Sequence, residues 1–215
     1  MEKKAKSTKE RTREMTILAM FIAIIAVLGL VPNGAGGALG FIKITDNMEA
    51  TIIHIPVLIG AALLGRKMGV YLGLAFGIIS LIAAFIYNSP LFYYPWVSVV
   101  PRVIFGFVIY DVVRFFLKII KQRYLALAIS FFILTVIHTL LVLPMLWTSF
   151  AMVFDYDSLG QAFIPYLTAL NASGVPITAP IEAVLAAIVG ATVVTRLMPF
   201  YGKNQESFGE EETQV

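Results

Sequence analysis

One arginine of this chain lies inside a long apolar stretch. Arg102 belongs to the run Pro95–Gly106, whose other residues are apolar or small, whereas most other basic residues lie in hydrophilic segments. An arginine near the centre of a bilayer costs roughly 3 kcal/mol, so it persists where it faces a cavity, a partner charge or an anionic ligand. We interpret Arg102 as an anion-binding residue, and an internal salt bridge with Glu182 is the alternative.

Other polar side chains occur in or beside apolar segments, at a depth similar to that of Arg102. We predict that they form a small-molecule site together with Arg102: His54, Asn171, Glu182, Asn88, Tyr93 and Trp96. Tyr93 and Trp96 would also suit the aromatic belt at a membrane surface. His54 could instead be a packing residue, and Glu182 could contact the ligand or serve as the counter-ion of Arg102.

The sequence argues against most enzymatic chemistry. It contains no cysteine and no G-x-x-x-x-G-K-[ST] string, so we predict no ATPase, no bound cofactor and no metal site in this chain. An intramembrane hydrolase is an alternative, with Ser80 or Ser98 as nucleophile and His54 or His138 as base. However, no G-x-S-x-G or H-E-x-x-H string occurs, and His138 is expected to be a packing residue. A channel is a third alternative, without evident selectivity sequences.

The composition indicates an integral membrane protein. Hydrophobic residues make up 59% of the 215 residues, and charged residues make up 13%. Crossing the hydrocarbon requires about 20 apolar residues in a helix. Six segments approach that length: Met15–Val31, Ala50–Gly65, Met68–Tyr87, Trp96–Leu117, Leu125–Phe150 and Gly174–Met198. The predicted fold is therefore an all-α bundle of six transmembrane helices.

Lysines and arginines predict the orientation of this bundle. They precede the first segment, follow the second and fourth, and occur after the sixth, which places both termini in the cytoplasm by the positive-inside rule. We divide the chain into a basic segment (1–14), a membrane domain (15–200) and a short acidic tail (201–215). The first apolar segment resembles a secretory signal, but we expect it to be retained as a membrane helix.

Prolines and a long loop predict a pocket on the outer side. Pro56, Pro101 and Pro144 are expected inside helices, where each would disturb the carbonyl four residues earlier. Such irregular backbone needs protein or a water-filled cavity around it. The glycine-rich segment Pro32–Glu49 is long for a helix connection, and we predict that it forms a lid over the pocket.

Small residues recur at helical spacing in three segments. Gly65, Gly69, Gly73 and Gly77 fall on one stripe, which is typical of close helix packing within a bundle. Ala183, Ala187 and Ala191 form a second such stripe in the sixth segment, and Ala19 and Ala23 form a similar pair in the first. For that pair we favour a surface on which another membrane subunit docks.

Several strings resemble the substrate-binding S components of energy-coupling factor (ECF) vitamin transporters. They are the string from Thr51 to Gly60, its continuation to Gly69, and the Pro101-Arg102 pair followed by Gly106. The resemblance covers the six-segment chain and is strongest to the pantothenate type. Niacin, lipoate, folate, pyridoxine-like compounds and riboflavin remain alternative ligands.

The resemblance implies an assembly in the bacterial cell membrane. The chain would bind a vitamin from outside, and a transmembrane coupling subunit with two cytoplasmic ATPase subunits would drive its uptake, so ATP is used by the partners alone. Ala19 and Ala23 match the A-x-x-x-A motif on which the coupling subunit docks in this family. A pantothenate carboxylate would suit Arg102 as a charge-assisted partner. No nucleic acid is expected among the partners.

Overall fold

The computed structural model describes residues 8–34, 36–45 and 48–201. Half of the predicted basic segment, nearly all of the acidic tail, and Asp46 of the long loop lie outside these residues. The described elements follow in chain order: α1 (Thr8–Leu30), β1 (Phe41–Thr45), β2 (Met48–Thr51), α2 (His54–Leu64), α3 (Arg66–Ile86), a 3-10 turn (Pro90–Phe92), α4 (Pro95–Ser98), α5 (Val100–Ile119), α6 (Arg123–Val153), α7 (Leu159–Ala172) and α8 (Val175–Tyr201).

Five of the described helical segments are long and apolar enough to cross a membrane. They are Thr8–Leu30, Arg66–Ile86, Pro95–Ile119, Arg123–Val153 and Val175–Pro199, and the third of them combines α4 and α5. The mostly helical, multi-pass membrane architecture predicted from composition is therefore confirmed at this level. Basic residues Lys9, Arg11 and Arg13 belong to α1 itself, because that helix begins at Thr8.

The second predicted membrane segment, Ala50–Gly65, does not form a single transmembrane helix. Ala50 lies in β2, which pairs antiparallel with β1, and only His54–Leu64 is helical. At 1.5 Å per residue these 11 residues span about 16 Å, roughly half of the hydrocarbon. Pro56 explains the late start, because a proline is compatible with the first turn of a helix but not with its interior. The prediction of one continuous helix over this range is wrong.

Helix α2 lies in the interior of the bundle. Its residues from His54 to Leu63 are all buried, which fits a helix that is apolar on every side. The main core surrounds it, with side chains from α1, α3, α5, α6 and α8. A second, smaller apolar cluster joins the C-terminal part of α6 to α7 through Phe150, Ala162 and Tyr166.

The glycine stripe of α3 brings this helix into backbone contact with α5. A Cβ atom on Gly69 would lie 2.5 Å from the carbonyl oxygen of Gly106, and one on Gly77 would lie 2.8 Å from Cα of Val99. A Cβ on Gly73 would overlap the carbonyl group of Arg102. The stripe therefore packs inside the bundle, as predicted, and it sets the distance between α3 and the backbone that carries Arg102.

We expect Gly73→Val to lower the thermal stability of the purified protein in detergent. The added side chain meets backbone of α5, which cannot rotate away, and overpacking of this kind costs about 1–3 kcal/mol. Gly160→Ala in α7 is a suitable control, because the nearest atom to its new Cβ is 4.0 Å away. An unchanged unfolding temperature for Gly73→Val would contradict the close packing described here.

The three prolines differ in their positions within the helices. Pro56 and Pro101 lie in the first turns of α2 and α5, where the missing N–H costs no helical hydrogen bond, and only Pro144 lies inside a helix. The expectation that all three interrupt helix interiors is therefore wrong for two of them. Between α4 and α5 the chain turns at Val99, and this break precedes Arg102 by only three residues.

Candidate ligand-binding site

A cavity of about 700 Å³ occupies one end of the bundle. Its wall combines the C-terminal halves of α3 and α6, the first two turns of α8, part of α7, Arg102 of α5 and the segment 36–41. This volume lies within the 300–1,000 Å³ range of small-molecule pockets in proteins. The wall is mostly apolar and includes a few polar side chains, which is the usual composition of a site that orients one small ligand.

Arg102 is held in the wall by contacts with backbone and aromatic rings. The side chain is 6% exposed, and its Nη1 donates a hydrogen bond to the carbonyl oxygen of Val97. Pro101 has no N–H to offer this carbonyl, which explains why Val97 is free to accept from the guanidinium. The Cζ atom lies 5.5 Å from the ring centroid of Phe76 and 5.6 Å from that of Phe92. These contacts restrict the position of the guanidinium.

The positive charge of Arg102 has no carboxylate partner within the described part of the chain. Glu182 lines the same cavity, but its Oε1 accepts a hydrogen bond from the backbone N–H of Thr51 at 2.7 Å. The two side chains form no ion pair with each other, so the predicted alternative of an internal salt bridge is not seen. The Nε of Arg102 is buried without a hydrogen-bond partner. A buried guanidinium in this state is suited to an anion.

The two histidines of the chain lie together, and only one reaches the cavity. His54 is fully buried behind the wall, and its Nε2 lies 3.3 Å from the Thr135 hydroxyl. Its ring stacks on that of His138, with centroids 5.8 Å apart and an interplanar angle of 13°. His138 forms part of the wall. The direct ligand contact predicted for His54 is therefore not available in this arrangement. His138, which was expected to be a packing residue, lies in the cavity wall instead.

The cavity wall also carries hydroxyl groups that the sequence patterns did not indicate. Thr178 precedes Glu182 by one turn of α8, and Tyr166 projects from α7. The hydroxyl of Tyr166 donates to the carbonyl oxygen of Leu143 at 2.7 Å. Burial raises the pKa of Tyr166 to about 12, so the phenol remains protonated near neutral pH. Glu182 is the one residue of this wall that sequence analysis identified.

Besides His54, four other predicted site residues lie outside the wall of this cavity. The side-chain oxygen of Asn88 accepts from the Tyr93 hydroxyl at 2.6 Å, and Trp96 Nε1 donates to the Thr148 hydroxyl at 3.3 Å. Asn171 is exposed, and its amide donates to the carbonyl oxygen of its own helical turn at 3.0 Å. Direct contact of these side chains with a ligand in the cavity therefore has no support from the structure.

The long first loop contributes directly to the site. Gly36, Gly37, Ala38 and Phe41 form part of the wall, and the hydrogen bond between Thr51 and Glu182 joins the end of β2 to α8. The side chain of Asn33 orders the turn by donating to the carbonyl oxygens of Ala38 and Phe41, each at 3.2 Å. The loop is thus placed where a lid would need to be, and its movement remains a prediction.

The fold and the cavity together define a multi-pass membrane protein with a cavity of small-molecule size, whose wall includes a buried guanidinium. A family model described as "ECF transporter, substrate-specific component" matches residues 13–205. The chain therefore belongs to this family, and the resemblance predicted from its sequence is confirmed.

Among characterised proteins, the chain is similar to the pantothenic acid transporter PanT of Lactococcus lactis subsp. cremoris (strain MG1363). The two sequences are 30% identical over 159 residues, which cover 66% of this chain and 76% of the relative. Function as the substrate-specific component of a transporter is thus assigned by family membership.

Proposed function

We propose that this protein binds pantothenate and presents it for uptake through an ECF transporter. The observation that supports this proposal best is the guanidinium of Arg102, which lines the cavity without a carboxylate partner among the described residues. Pantothenate has one carboxylate, which suits this guanidinium, and an amide, two hydroxyls and a gem-dimethyl group. Those remaining groups match the apolar wall and the polar side chains of Tyr166, Thr178 and Glu182. The similarity to a pantothenic acid transporter favours this vitamin over other anionic ones.

The proposed topology places the cavity on the outer side of a bacterial cell membrane. The wall uses the C-terminal halves of α3 and α6, whereas Arg66 and Lys67 lie at the N-terminal end of α3, and Arg123 at that of α6. Positive charge thus marks the end of the bundle opposite the cavity, which we assign to the cytoplasm. The hairpin and α2 together complete a sixth crossing, so both termini are cytoplasmic.

The proposal requires partner proteins for energy. We infer that a transmembrane coupling subunit and two ATPase subunits reorient the chain, which has no ATPase or cofactor of its own. Ala19 and Ala23 are exposed on α1, one turn apart, and offer a smooth surface to a partner helix. In α1 only Gly29, near the C-terminal end, belongs to the cavity wall. Docking and ligand binding are therefore assigned to different parts of this helix.

Calorimetric titration of the detergent-purified chain against a panel of vitamins tests the proposal. We expect pantothenate to bind tightly and niacin, lipoate, folate, pyridoxine and riboflavin to bind weakly or not at all. Tight binding of another vitamin would keep the transporter function and replace the ligand. Binding of none would contradict the proposal. The hydrolase alternative lacks support, because neither histidine hydrogen-bonds a serine within the described residues.

A further inference from the structure

His138 is a polar residue in the cavity wall, and one of its ring nitrogens has no hydrogen-bond partner among the described residues. Its side chain is 6% exposed, and Nε2 has no partner in the described structure. A buried polar nitrogen that loses its water without gaining a protein partner destabilises the fold. Nε2 itself is closed off from the cavity, but the residue lies in the cavity wall and is 6% exposed, so a ligand there can reach the accessible edge of the ring.

Packing alone does not explain a histidine at this position. The ring is surrounded by His54 at 5.8 Å, Phe76 at 5.7 Å and Phe105 at 4.8 Å between centroids. A phenylalanine could make comparable ring contacts without burying a nitrogen. The three neighbours also limit the orientations open to the imidazole, so any hydrogen bond that it makes to a ligand has a defined direction.

Phe76 places His138 and Arg102 at the same end of the cavity. The ring of Phe76 lies 5.7 Å from that of His138 and 5.5 Å from Cζ of Arg102. Arg102 cannot provide every hydrogen bond that a carboxylate accepts, because the guanidinium fork offers two N–H groups to one carboxylate, which has about four acceptor sites. A second hydrogen-bond donor nearby would satisfy acceptor sites of the carboxylate that Arg102 leaves free.

We propose that the imidazole N–H of His138 donates to the carboxylate that Arg102 binds, and that this pair selects carboxylate ligands over neutral analogues. The inference rests on the proposed function and extends it to a residue that sequence analysis assigned to packing. His54 acts as a positioning residue, since it stacks on His138 and does not reach the cavity.

Calorimetric titrations with pantothenate and panthenol test this assignment. Panthenol carries a primary alcohol in place of the carboxylate. We expect His138→Phe to weaken pantothenate binding by about ten- to a hundredfold, as for loss of a hydrogen bond to a charged group, and to change panthenol binding by less than about threefold. His138→Gln keeps a donor and is expected to recover part of the pantothenate affinity.

Thr195→Val is the matched control for these variants. Thr195 also carries a buried hydroxyl without a partner, but it does not line the cavity, so its replacement should leave both affinities unchanged. Unchanged pantothenate affinity in His138→Phe, or equal losses for the two ligands, would overturn the inference alone. Failure of the unaltered protein to bind pantothenate would instead overturn the proposed function and this inference with it.

Nuclear magnetic resonance provides a second readout, in which the ligands are added to the unaltered protein and a variant serves only to assign the signals. The chain contains two histidines, so ¹⁵N-histidine labelling of protein without a histidine tag gives signals from His54 and His138 only. His54→Phe assigns them. We expect pantothenate to shift the ring nitrogens of His138 strongly and panthenol to shift them little. Identical spectra with and without bound pantothenate would overturn the inference.

Discussion

Arg102→Ala is expected to weaken pantothenate binding by at least about a hundredfold in calorimetric titration. Hydrogen bonds to a charged group contribute about 1.5–3 kcal/mol each, and a guanidinium can offer two to one carboxylate. A loss of about 3 kcal/mol corresponds to roughly two decades in the dissociation constant. We expect the full loss because Arg102 is 6% exposed and its position is restricted by the rings of Phe76 and Phe92.

We expect Arg102→Ala to lower the folding stability of the unliganded protein much less than it lowers the affinity for pantothenate. Arg102 is a buried charge without a carboxylate partner in the described residues, so its removal also removes a cost of burial. We therefore expect the unfolding temperature without ligand to fall little or to rise, while the stabilisation by added pantothenate disappears. This separation of ligand binding from folding stability distinguishes a binding residue from one that merely maintains the bundle.

Two further variants test whether the loss of affinity is specific to the guanidinium of Arg102. Arg102→Lys keeps the charge but lacks the planar fork, so we expect an affinity between those of Arg102→Ala and the unaltered protein. Arg66→Ala removes another arginine, one that pairs with Asp111 outside the cavity wall, and should leave binding unchanged. A near-normal dissociation constant for folded Arg102→Ala would refute the proposed role of this residue.

The sequence was most informative at positions where burial of the residue type has a high free-energy cost. Arg102 and Glu182 were predicted as site residues because a charged group inside an apolar segment needs a specific reason to be there. The glycine stripe of α3 could be predicted because small residues at helical spacing indicate close packing. Both rules depend on local composition, and both predictions agree with where the structure places these residues.

Residues of moderate polarity could not be assigned in this way. Histidine and tyrosine occur in packed interiors and in binding sites alike, so the roles of His54, His138 and Tyr166 depend on which helix faces lie opposite one another. Sequence analysis selected His54, but the stacking of the two rings places His138 in front of it. That order follows from the way in which α2 and α6 bring His54 and His138 together, which no local pattern in the sequence encodes.

Pro101 shows how a correct local rule can accompany a wrong structural expectation. A proline inside a helix leaves the carbonyl four residues earlier without its N–H partner. For Pro101 this rule predicts a disturbed backbone at Val97. The structure places Pro101 in the first turn of α5 rather than in a helix interior, and the freed carbonyl accepts from Arg102. The break thus contributes to the site by holding the guanidinium, a tertiary consequence that the rule does not contain.

Ala19→Trp and Ala23→Trp are expected to abolish pantothenate uptake while leaving ligand binding intact. Both alanines are exposed on α1 at a spacing of four residues, so they lie on the same side of the helix. An indole at either position would prevent the close backbone approach that small residues permit. Uptake of labelled pantothenate should be measured in cells that also produce the coupling subunit and the ATPases, with calorimetry on the purified variants.

Ile188→Trp in α8 is the matched control, because this side chain is 55% exposed on a different helix. It places the same indole on the bundle surface and should leave both uptake and binding unchanged. If the alanine variants lose pantothenate binding as well as uptake, the two residues serve packing within the bundle. If they retain both, the partner docks elsewhere. Loss of uptake alone would show that the chain binds its vitamin independently and depends on this surface of α1 to deliver it.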